Sequence, residues 1–256
     1  MKHLVLRSAS RAEDAGYLAL ADIAGITDAL DVDYRVVGGQ MTTLLVAAYA
    51  VTDVPGRETA DADLAAAPAV VGHPDLPRLL AERGYHPTGA SNRFVSEVAD
   101  GQDAVIDVLA PSSDGRLHSN RRYGDLYLDE IPGLLLALAG SPLALTLEFQ
   151  LQSGQTASMR LRLPDPLSAL ALKTLAYASR RAAKDAVDVW RLLAVCHAAG
   201  IRAKDWGSGR GIRGDAAKVL RRDFGAITSP GLRAIGGDRG VRTKVRALVQ
   251  AVVGPA

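Results

Sequence analysis

The chain has 256 residues, enough to bury a hydrophobic core in one large domain or in two smaller ones. Hydrophobic residues make up 48% of it and charged residues 23%, the proportions of a soluble globular protein. Because Cys196 is its only cysteine, the chain cannot form an intramolecular disulfide framework or a cysteine-rich zinc site. No signal peptide is evident, and no uncharged apolar stretch reaches the roughly 18 residues of a membrane helix. We therefore expect a soluble, cytoplasmic protein with no membrane partner.

The formal net charge of +2 conceals a division along the chain. Residues 173–256 contain 17 Lys and Arg and 6 Asp and Glu, whereas residues 1–172 contain 13 and 22. Such asymmetry favours two modules with different partners. Because a cationic surface attracts phosphate backbones, the basic part predicts a surface that faces a polyanion. The alternative is a helical bundle whose Arg and Lys side chains only solvate its surface.

Hydrophobic spacing and turn residues in the first part of the chain predict alternating helices and strands. A helix at 10–30 follows a possible Ser cap, and the β-rich run YRVV at 34–37 meets two glycines. A second helix is predicted at 40–51. Next come a turn entering an edge of the sheet at 56–67 and a helix at 73–87 that ends near Gly84.

Two hairpins are predicted after these elements. Residues 93–99 and 104–111 flank the turn-like sequence DGQD, and residues 143–152 and 156–164 flank SGQ. Between the hairpins, residues 112–125 have the composition of a polar loop.

The strand signals stop beyond Pro166. Residues 167–200 have helical periodicity, and residues 204–215 form a Gly/Arg-rich loop. The predicted fold class is therefore α+β, with a mixed-sheet domain over residues 1–165 and a basic helical domain over residues 166–256.

Gly38 and Gly39 lie between a predicted strand and a predicted helix, which is one way to hold phosphate. Glycine lets the backbone approach an anion closely, and the following helix directs N–H groups and its positive end at that anion. The signal is weak by itself, because the same pair often forms only a tight turn. It is neither a Walker loop, which requires GK[ST], nor a dinucleotide fingerprint, which requires a third glycine.

Asp61 and Asp63 are spaced so that both would point to one face of a strand. Two adjacent carboxylates repel each other unless a cation lies between them, and Mg²⁺ takes oxygen ligands from carboxylates and substrate phosphates. The alternative is that Asp61 and Asp63 lie in a surface loop and have no function.

Asp107 is a third carboxylate, inside the otherwise apolar strand AVIDVLAP. A charge in such a strand is costly unless it is paired or bound to metal. If this strand neighbours the one that carries Asp61 and Asp63, three carboxylates converge and could build a two-metal site for attack on phosphorus. The alternative is an Asp107 side chain that points outward to water.

Together, strand-Gly-Gly-helix, R-x-T-x-D-x-D and the h-D-h strand resemble the nucleotidyltransferase superfamily typified by DNA polymerase beta. Within it, the sequence resembles the AbiEii-type branch, which includes the toxins of type IV toxin–antitoxin systems. Members of that branch continue with a lysine-bearing helix, an Arg/Lys-rich stretch and a K-D-x-x-D-h motif. LALKTLAYASRR and KDAVDVW match these features here, and the resemblance covers roughly residues 34–195.

The resemblance implies a polymerase-beta-like catalytic domain and a set of site residues. The family often has Ser where this chain has Gly39, which removes one side-chain contact to phosphate. The implied phosphate-binding glycines are Gly38 and Gly39. The implied metal ligands are Asp61, Asp63 and Asp107, the last also activating the acceptor, and further catalytic or NTP-binding residues are Lys173, Lys184, Asp188 and Arg57. The alternatives are that Lys184 and Asp188 form only a helical i,i+4 pair and that Arg57 only anchors its turn.

Basic residues and one aromatic residue in the last part of the chain are candidates for binding RNA. Trp206 lies in the Gly/Arg-rich loop and is the better candidate for stacking on a base, because the helical spacing of Trp190 predicts a place in the core. The predicted RNA contacts are Arg202, Lys204, Trp206, Arg210 and Arg213.

These features lead to one leading hypothesis and one alternative. The leading hypothesis is a Mg²⁺- or Mn²⁺-dependent enzyme that transfers a nucleotide from an NTP to an acceptor hydroxyl at the 3′ end of an RNA such as tRNA. Such an enzyme would act as a growth-inhibiting toxin with a cognate antitoxin as partner; a small-molecule or protein hydroxyl is the variant acceptor. The alternative is a catalytically silent module of the same fold that binds RNA or a protein partner.

Overall fold

The computed structural model describes residues 1–88, 92–98, 102–207 and 210–255. It divides into two compact units. The sheet unit consists of Met1–Met41 and Arg57–Pro164, and the helical unit consists of Thr42–Gly56 and Asp165–Ala256. The predicted α+β class, with a mixed sheet first and helices after it, is confirmed.

The boundary after Pro164 lies beside the domain division predicted at residue 165. One segment departs from the predicted division. Thr42–Gly56 belongs to the helical unit, whereas the sequence assigned it to the first domain. These residues comprise the end of one apolar helix and the segment after it.

The sheet unit contains the described strands and the shorter helices. Its strands are β1 (Lys2–Arg7), β2 (Tyr34–Val37), β3 (Asp61–Ala66), β4 (His86–Pro87), β5 (Arg93–Val98), β6 (Gln102–Pro111), β7 (His118–Tyr123), β8 (Leu126–Ile131), β9 (Leu143–Gln150) and β10 (Thr156–Leu163). Its helices are α1 (Arg11–Leu30), the first turn of α2 (Gly38–Ala48), α3 (Pro68–Val71), α4 (Leu76–Glu82) and α5 (Leu134–Ala139).

The strands form two sheets. In the smaller sheet the order is β1-β9-β10, with β1 parallel to β9 and β10 antiparallel to it. In the larger sheet the order is β2-β3-β6-β5-β4, and β8 pairs in parallel with the end of β6 while β7 pairs with β8. Since β3 is parallel to β6 but antiparallel to β2, the sheet is mixed.

Both predicted hairpins are present, as β5–β6 and β9–β10. Three local predictions were wrong. The segment predicted to enter an edge of the sheet forms β3 instead. This strand lies inside the sheet, because it pairs with β2 on one side and with β6 on the other. The predicted polar loop at 112–125 contains β7, whose polar side chains are mostly exposed. Of the predicted DGQD turn, Gln102 and Asp103 belong to β6, and Asp100 and Gly101 lie outside the described residues.

Helix α1 begins where the sequence predicted and supports the larger sheet. The Ser10 hydroxyl accepts a hydrogen bond from the Glu13 N–H at 3.2 Å, which caps the helix. The buried face of α1, which includes Leu20 and Ile23, packs in the core formed with β3, β6 and β10. This packing excludes water from one face of β6 and so fixes the strand at the centre of the unit.

The helical unit packs α6 (Pro166–Arg180), α7 (Ala183–Ala198), α8 (Gly211–Phe224), α9 (Pro230–Ile235) and α10 (Arg239–Val253) around a shared core. The helical stretch predicted at 167–200 is divided at Arg181, whose φ of 53° is left-handed and ends α6. The Asp165 carboxylate caps α6 by accepting bonds from Leu167 and Ser168 N–H groups at 3.0 Å.

The predicted Gly/Arg-rich loop at 204–215 is shorter than expected. A 3₁₀ turn, Ala203–Trp206, and the first residues of α8 take up most of it, and residues 208–209 lie outside the described ranges. Cys196 is buried, and burial raises the pKa of its thiol well above the usual value. Within the described ranges, no helix is long and apolar enough to cross a bilayer.

Candidate active site

Four charged residues, Asp61, Asp63, Asp107 and Arg93, form a row on one face of the larger sheet. The register pairs Asp63 of β3 with Asp107 of β6, and it pairs Asp107 with Arg93 of β5. Residues that are paired in register share a face of the sheet, and Asp61 shares that face because it lies two residues before Asp63. The sequence predicted that the three carboxylates would converge if their strands were neighbours, and β3 and β6 are neighbours.

Arg93 joins two of these carboxylates. Its Nε donates to Asp107 Oδ1 at 3.0 Å, and its Nη2 donates to Asp107 Oδ2 at 2.9 Å and to Asp61 Oδ2 at 3.1 Å. The hydrogen bonds to Asp107, followed by the charges of both carboxylates, hold the pKa of the Arg93 guanidinium above its usual value. Arg93 is thus a permanent cation in the row, and no motif in the sequence distinguishes it from the other arginines.

The surroundings of Asp107 explain why it needs this partner. Ile106 and Val108 on either side of it are fully buried, and the Asp107 side chain is only 12% exposed. A carboxylate in such a strand is costly unless it is paired, and the two-point contact with Arg93 provides the pair. An Asp107 side chain that points out to open water, the alternative from the sequence, is therefore wrong. Asp61 is 44% exposed, so its contact with Arg93 contributes less.

Gly38 and Gly39 are the first two residues of α2 and pack against β3 and the segment just before it. Gly38 has a left-handed φ of 69°, and a Cβ on it would overlap the Asp63 carboxylate. A Cβ on Gly39 would lie 2.8 Å from the Thr59 hydroxyl. The Asp63 carboxylate therefore contacts the N-terminus of α2, where the helix dipole stabilises negative charge.

Gln40 fixes the segment before β3 to the same helix end. Its side-chain amide donates to the Thr59 carbonyl oxygen at 2.8 Å, and Gln40 itself is buried. Arg57, at the start of this segment, is half-buried. This hydrogen bond thus holds the segment that leads to Asp61 and Asp63 close to the two glycines. A contact between Arg57 and phosphate stays a prediction.

The fit of this row to a divalent cation depends on Asp107. Mg²⁺ is usually held by one or two carboxylates together with substrate phosphates, and Asp61 and Asp63 offer such oxygens from one face of β3. Both oxygens of Asp107 instead accept hydrogen bonds from Arg93. Within the described residues, no group of three or more His, Cys, Asp and Glu side chains is arranged to hold a metal ion. Asp61 and Asp63 are thus the residues that would hold one cation shared with a triphosphate, and a role of Asp107 as a third ligand stays a prediction.

Lys173 and Asp188 form a buried ion pair within the helical unit. The Lys173 ammonium lies 2.8 Å from Asp188 Oδ2 and 4.0 Å from Asp185 Oδ1, and all three side chains are at least nine-tenths buried. Lys184 is exposed, so the pair that the sequence offered as an alternative, Lys184–Asp188, is replaced by Lys173–Asp188. The roles of Lys173, Lys184 and Asp188 toward a triphosphate stay predictions.

Trp206 is not placed to stack on RNA. Its side chain is 3% exposed, and its indole N–H donates to the Val252 carbonyl oxygen at 2.9 Å, because the 3₁₀ turn packs on α10. Trp190, expected in the core, is half-buried instead. The Arg202 guanidinium donates to the carbonyl oxygens of Ile201 and His197 at 2.8 and 3.3 Å, so it closes the end of α7.

The remaining predicted RNA contacts are accessible to differing extents. Lys204 and Arg210 are exposed, and Arg213 is half-buried. Arg202 is also exposed apart from its bonds to the carbonyl oxygens. Contacts of these residues with RNA stay predictions.

Comparison with known proteins found a likeness to solved structures but none to sequences. The sequence matched no known protein family and no curated protein. Among solved structures, the chain is similar to the antibiotic-resistance factor ANT(2'')-Ia, whose solution structure is known. The two chains are 12% identical, the match covers 83% of this chain and 93% of that one, and the TM-score is 0.43.

Replacing Gly38 by alanine tests the contact between α2 and Asp63. A left-handed φ costs an alanine about 1–2 kcal/mol, and the added methyl group also displaces the Asp63 carboxylate. We expect Gly38→Ala to lower the free energy of unfolding by at least that amount in urea titrations. Gly56→Ala is the matched control, because a Cβ there meets open space. A Gly38→Ala protein as stable as the control would contradict this packing.

Replacing Lys173 by methionine separates a structural role from a substrate-binding role. The change removes the nearest cation of the buried Asp188, while Arg191, whose Nη1 lies 3.5 Å from Asp188 Oδ1, remains as the second. We therefore expect the free energy of unfolding to fall by about 1–3 kcal/mol. The exposed Lys184→Met should change it by less than about 0.5 kcal/mol. A Lys173→Met protein that keeps its stability but loses nucleotide binding would show that Lys173 serves the substrate and not the fold.

Proposed function

We propose that this protein is a metal-dependent nucleotidyltransferase of the polymerase-beta-like superfamily, of the AbiEii type. The observation that carries the proposal is the same-face arrangement of Asp61, Asp63 and Asp107 on adjacent parallel strands. A concentration of carboxylates with hard oxygen donors beside a glycine-initiated helix suits a cation that carries a nucleoside triphosphate. The motif resemblance over residues 34–195 supports the same function.

In the proposed reaction, an acceptor hydroxyl oxygen forms a bond with the α-phosphorus of an NTP. The bond between that phosphorus and the oxygen bridging to the β-phosphate breaks, and pyrophosphate leaves with the electron pair. The hydroxyl proton passes through one of the carboxylates of the row to water. When bound, a divalent cation supplies charge stabilisation for the triphosphate, and Asp61 and Asp63 are the residues that would hold it. Gly38 would bring the backbone of α2 close to the phosphates.

The proposed acceptor is the 3′ hydroxyl of an RNA such as tRNA. Residues 173–256 carry 17 basic and 6 acidic residues, and exposed cations such as Lys204 and Arg210 are available to phosphate groups. Transfer to the 3′ end of tRNA would block its use in translation, which is consistent with a growth-inhibiting toxin controlled by an antitoxin.

One observation favours a second candidate, a catalytically silent module of this fold. Arg93 neutralises Asp107 and contacts Asp61, so two of the three carboxylates are already paired with a cation. Such a module would bind RNA or a protein partner without transferring a nucleotide.

The transfer experiment distinguishes the two candidates. The protein is incubated with Mg²⁺, total tRNA and each α-labelled NTP in turn, and we expect label on RNA with at least one NTP. Asp61→Ala/Asp63→Ala should lower the rate by about 100-fold or more, the scale expected for loss of transition-state charge stabilisation. Asp103→Ala is the matched control, since Asp103 is exposed on the same strand as Asp107 but lies outside the row; it should keep full activity.

Each other outcome has a stated meaning. Label on the protein itself would replace RNA with a protein hydroxyl as the acceptor. Label in neither fraction, or equal labelling by the Asp61→Ala/Asp63→Ala protein, would overturn nucleotidyl transfer at this row and support the silent module.

A further inference from the structure

Thr88 extends the row of charged residues by one strand. It follows the last residue of β4, and its N–H donates to the Arg93 carbonyl oxygen at 3.0 Å, so Thr88 lies opposite Arg93. In strand order the residues across the sheet are then Asp63, Asp107, Arg93 and Thr88. Gly38 packs against Asp63, so the glycine that would hold phosphate is at one end and Thr88 is at the other.

A cavity lies at the Thr88 end, within the sheet unit. Its volume is about 460 Å³, inside the roughly 300–1,000 Å³ of small-molecule sites. The buried residues Phe94 and Leu126 line it together with Tyr127, which is 52% exposed. The polar residues of the described lining are Thr88, Asn120 and Asp125. Apolar and aromatic residues with a few polar groups are the lining typical of a site for an organic ligand.

A β-bulge in β7 holds Asn120 at this cavity. The register between β7 and β8 shifts between His118 and Arg121, and Asn120 between them has a left-handed φ of 58°. Its backbone N–H donates to Asp129 Oδ1 at 3.2 Å, which stabilises this conformation. Bulges often re-aim a side chain beside a functional site. Here the bulge brings an amide side chain to a cavity that also has the Asp125 carboxylate.

Tyr127 lies on the same face of the sheet as the row. Strand β8 joins β6 where Leu109 pairs with Asp129, and Asp107 and Tyr127 each precede this pair by two residues. The residues on either side of Tyr127 are buried, so its ring belongs to the open face of β8. Arg122 of β7 pairs with Tyr127 and is exposed, so a cation lies beside the aromatic ring on that face.

An exposed aromatic ring beside a cation suits single-stranded RNA. A base stacks on the ring, and the cation attracts the phosphate of the same strand. The amide of Asn120 offers both donors and an acceptor, and the carboxylate of Asp125 offers acceptors, for the polar edge of a base. The ligand class that fits the cavity is therefore a nucleobase with its phosphate.

The two ends of the row differ in what they would bind. In phosphoryl transfer, the attacking and leaving oxygens lie roughly in line through the phosphorus. In the proposed reaction, the leaving pyrophosphate is at the start of α2, beside Asp63. The attacking hydroxyl would therefore arrive from the side of Arg93 and Thr88, where the cavity lies.

We propose that the cavity binds the base of the 3′-terminal nucleotide of the acceptor RNA, which stacks on Tyr127 while Arg122 contacts the adjoining phosphate. This rests on the proposed function, because it places the nucleotide that carries the attacking hydroxyl. It gives the sheet unit an RNA contact of its own, whereas the contacts predicted from the sequence all lie in residues 202–213.

RNA binding in the absence of NTP tests this site. The probes are short single-stranded RNAs that carry each of the four bases, or no base, on the 3′-terminal nucleotide, and Kd is measured by fluorescence anisotropy. The natural sequence should bind at least one base-bearing RNA about 5-fold or more tightly than the abasic RNA, the scale of one stacking contact. Tyr127→Ala should bind the two equally, and Tyr127→Phe, which keeps the ring, should keep the preference.

Arg122 has a matched control in its neighbour. Arg122→Ala should weaken the binding of base-bearing and abasic RNA alike and lower the salt slope by about one, as expected for loss of a phosphate contact. Arg121 is also exposed but pairs with Leu128 on the other face, so Arg121→Ala should have neither effect. Thermal unfolding with Mg²⁺ and NTP should give the same rise in Tm for Tyr127→Ala as for the natural sequence, which also shows that the variant is folded.

Two kinds of result would overturn the proposal. One is a natural protein that does not distinguish base-bearing from abasic RNA, or a Tyr127→Ala protein that still does. The other is a Tyr127→Ala protein that loses the NTP-dependent rise in Tm but binds RNA normally, which would give the cavity to the base of the NTP. The proposed function fails separately: RNA binding that depends on Tyr127, without any transfer of label, would refute the transfer and support the base site.

Discussion

The ion pair between Arg93 and Asp107 is the interaction on which the candidate site depends. Asp107 lies in β6, between fully buried Ile106 and Val108, where an unpaired carboxylate would be strongly unfavourable. The β5–β6 hairpin places Arg93 opposite it, so the strand can keep a charge within an apolar run. Removing one partner of this pair would destabilise the protein. The pair itself adds little net stability, because the cost of desolvating both charged groups offsets their attraction. Its presence is better explained by the site than by the fold.

The same register connects the pair to the rest of the site. Because β3 is parallel to β6 and Asp63 is level with Asp107, the row continues onto the strand that also carries Asp61. The Asp63 carboxylate in turn occupies the space that a side chain at residue 38 would need, which restricts that residue to glycine. The strand register therefore brings the charged row, the glycine and the start of α2 together at one place.

The sequence predicted the elements and both hairpins, but not the register within the β5–β6 hairpin. Hydrophobic periodicity and turn residues predicted α1, β2, both hairpins and the helices of the last third of the chain, because those signals are local. Arg93 was missed because its importance depends on hairpin register: Val98 pairs with Gln102, whereas a DGQD turn would have shifted every pair, and a shift of one residue reverses the faces. Trp206 and Lys173 were likewise judged by residue type, but their burial is set by tertiary packing that no local pattern records.

The most direct test of the central claim is thermal unfolding with and without Mg²⁺ and each NTP. A ligand that binds only the native state at 100 times its Kd stabilises it by about 2.7 kcal/mol, so at least one NTP should raise the Tm. We expect this rise to disappear in Asp61→Asn/Asp63→Asn, because those carboxylates would hold the cation that carries the triphosphate. An equal rise in that variant, or no rise with any NTP in the natural sequence, would show that Asp61 and Asp63 do not bind a metal–nucleotide complex.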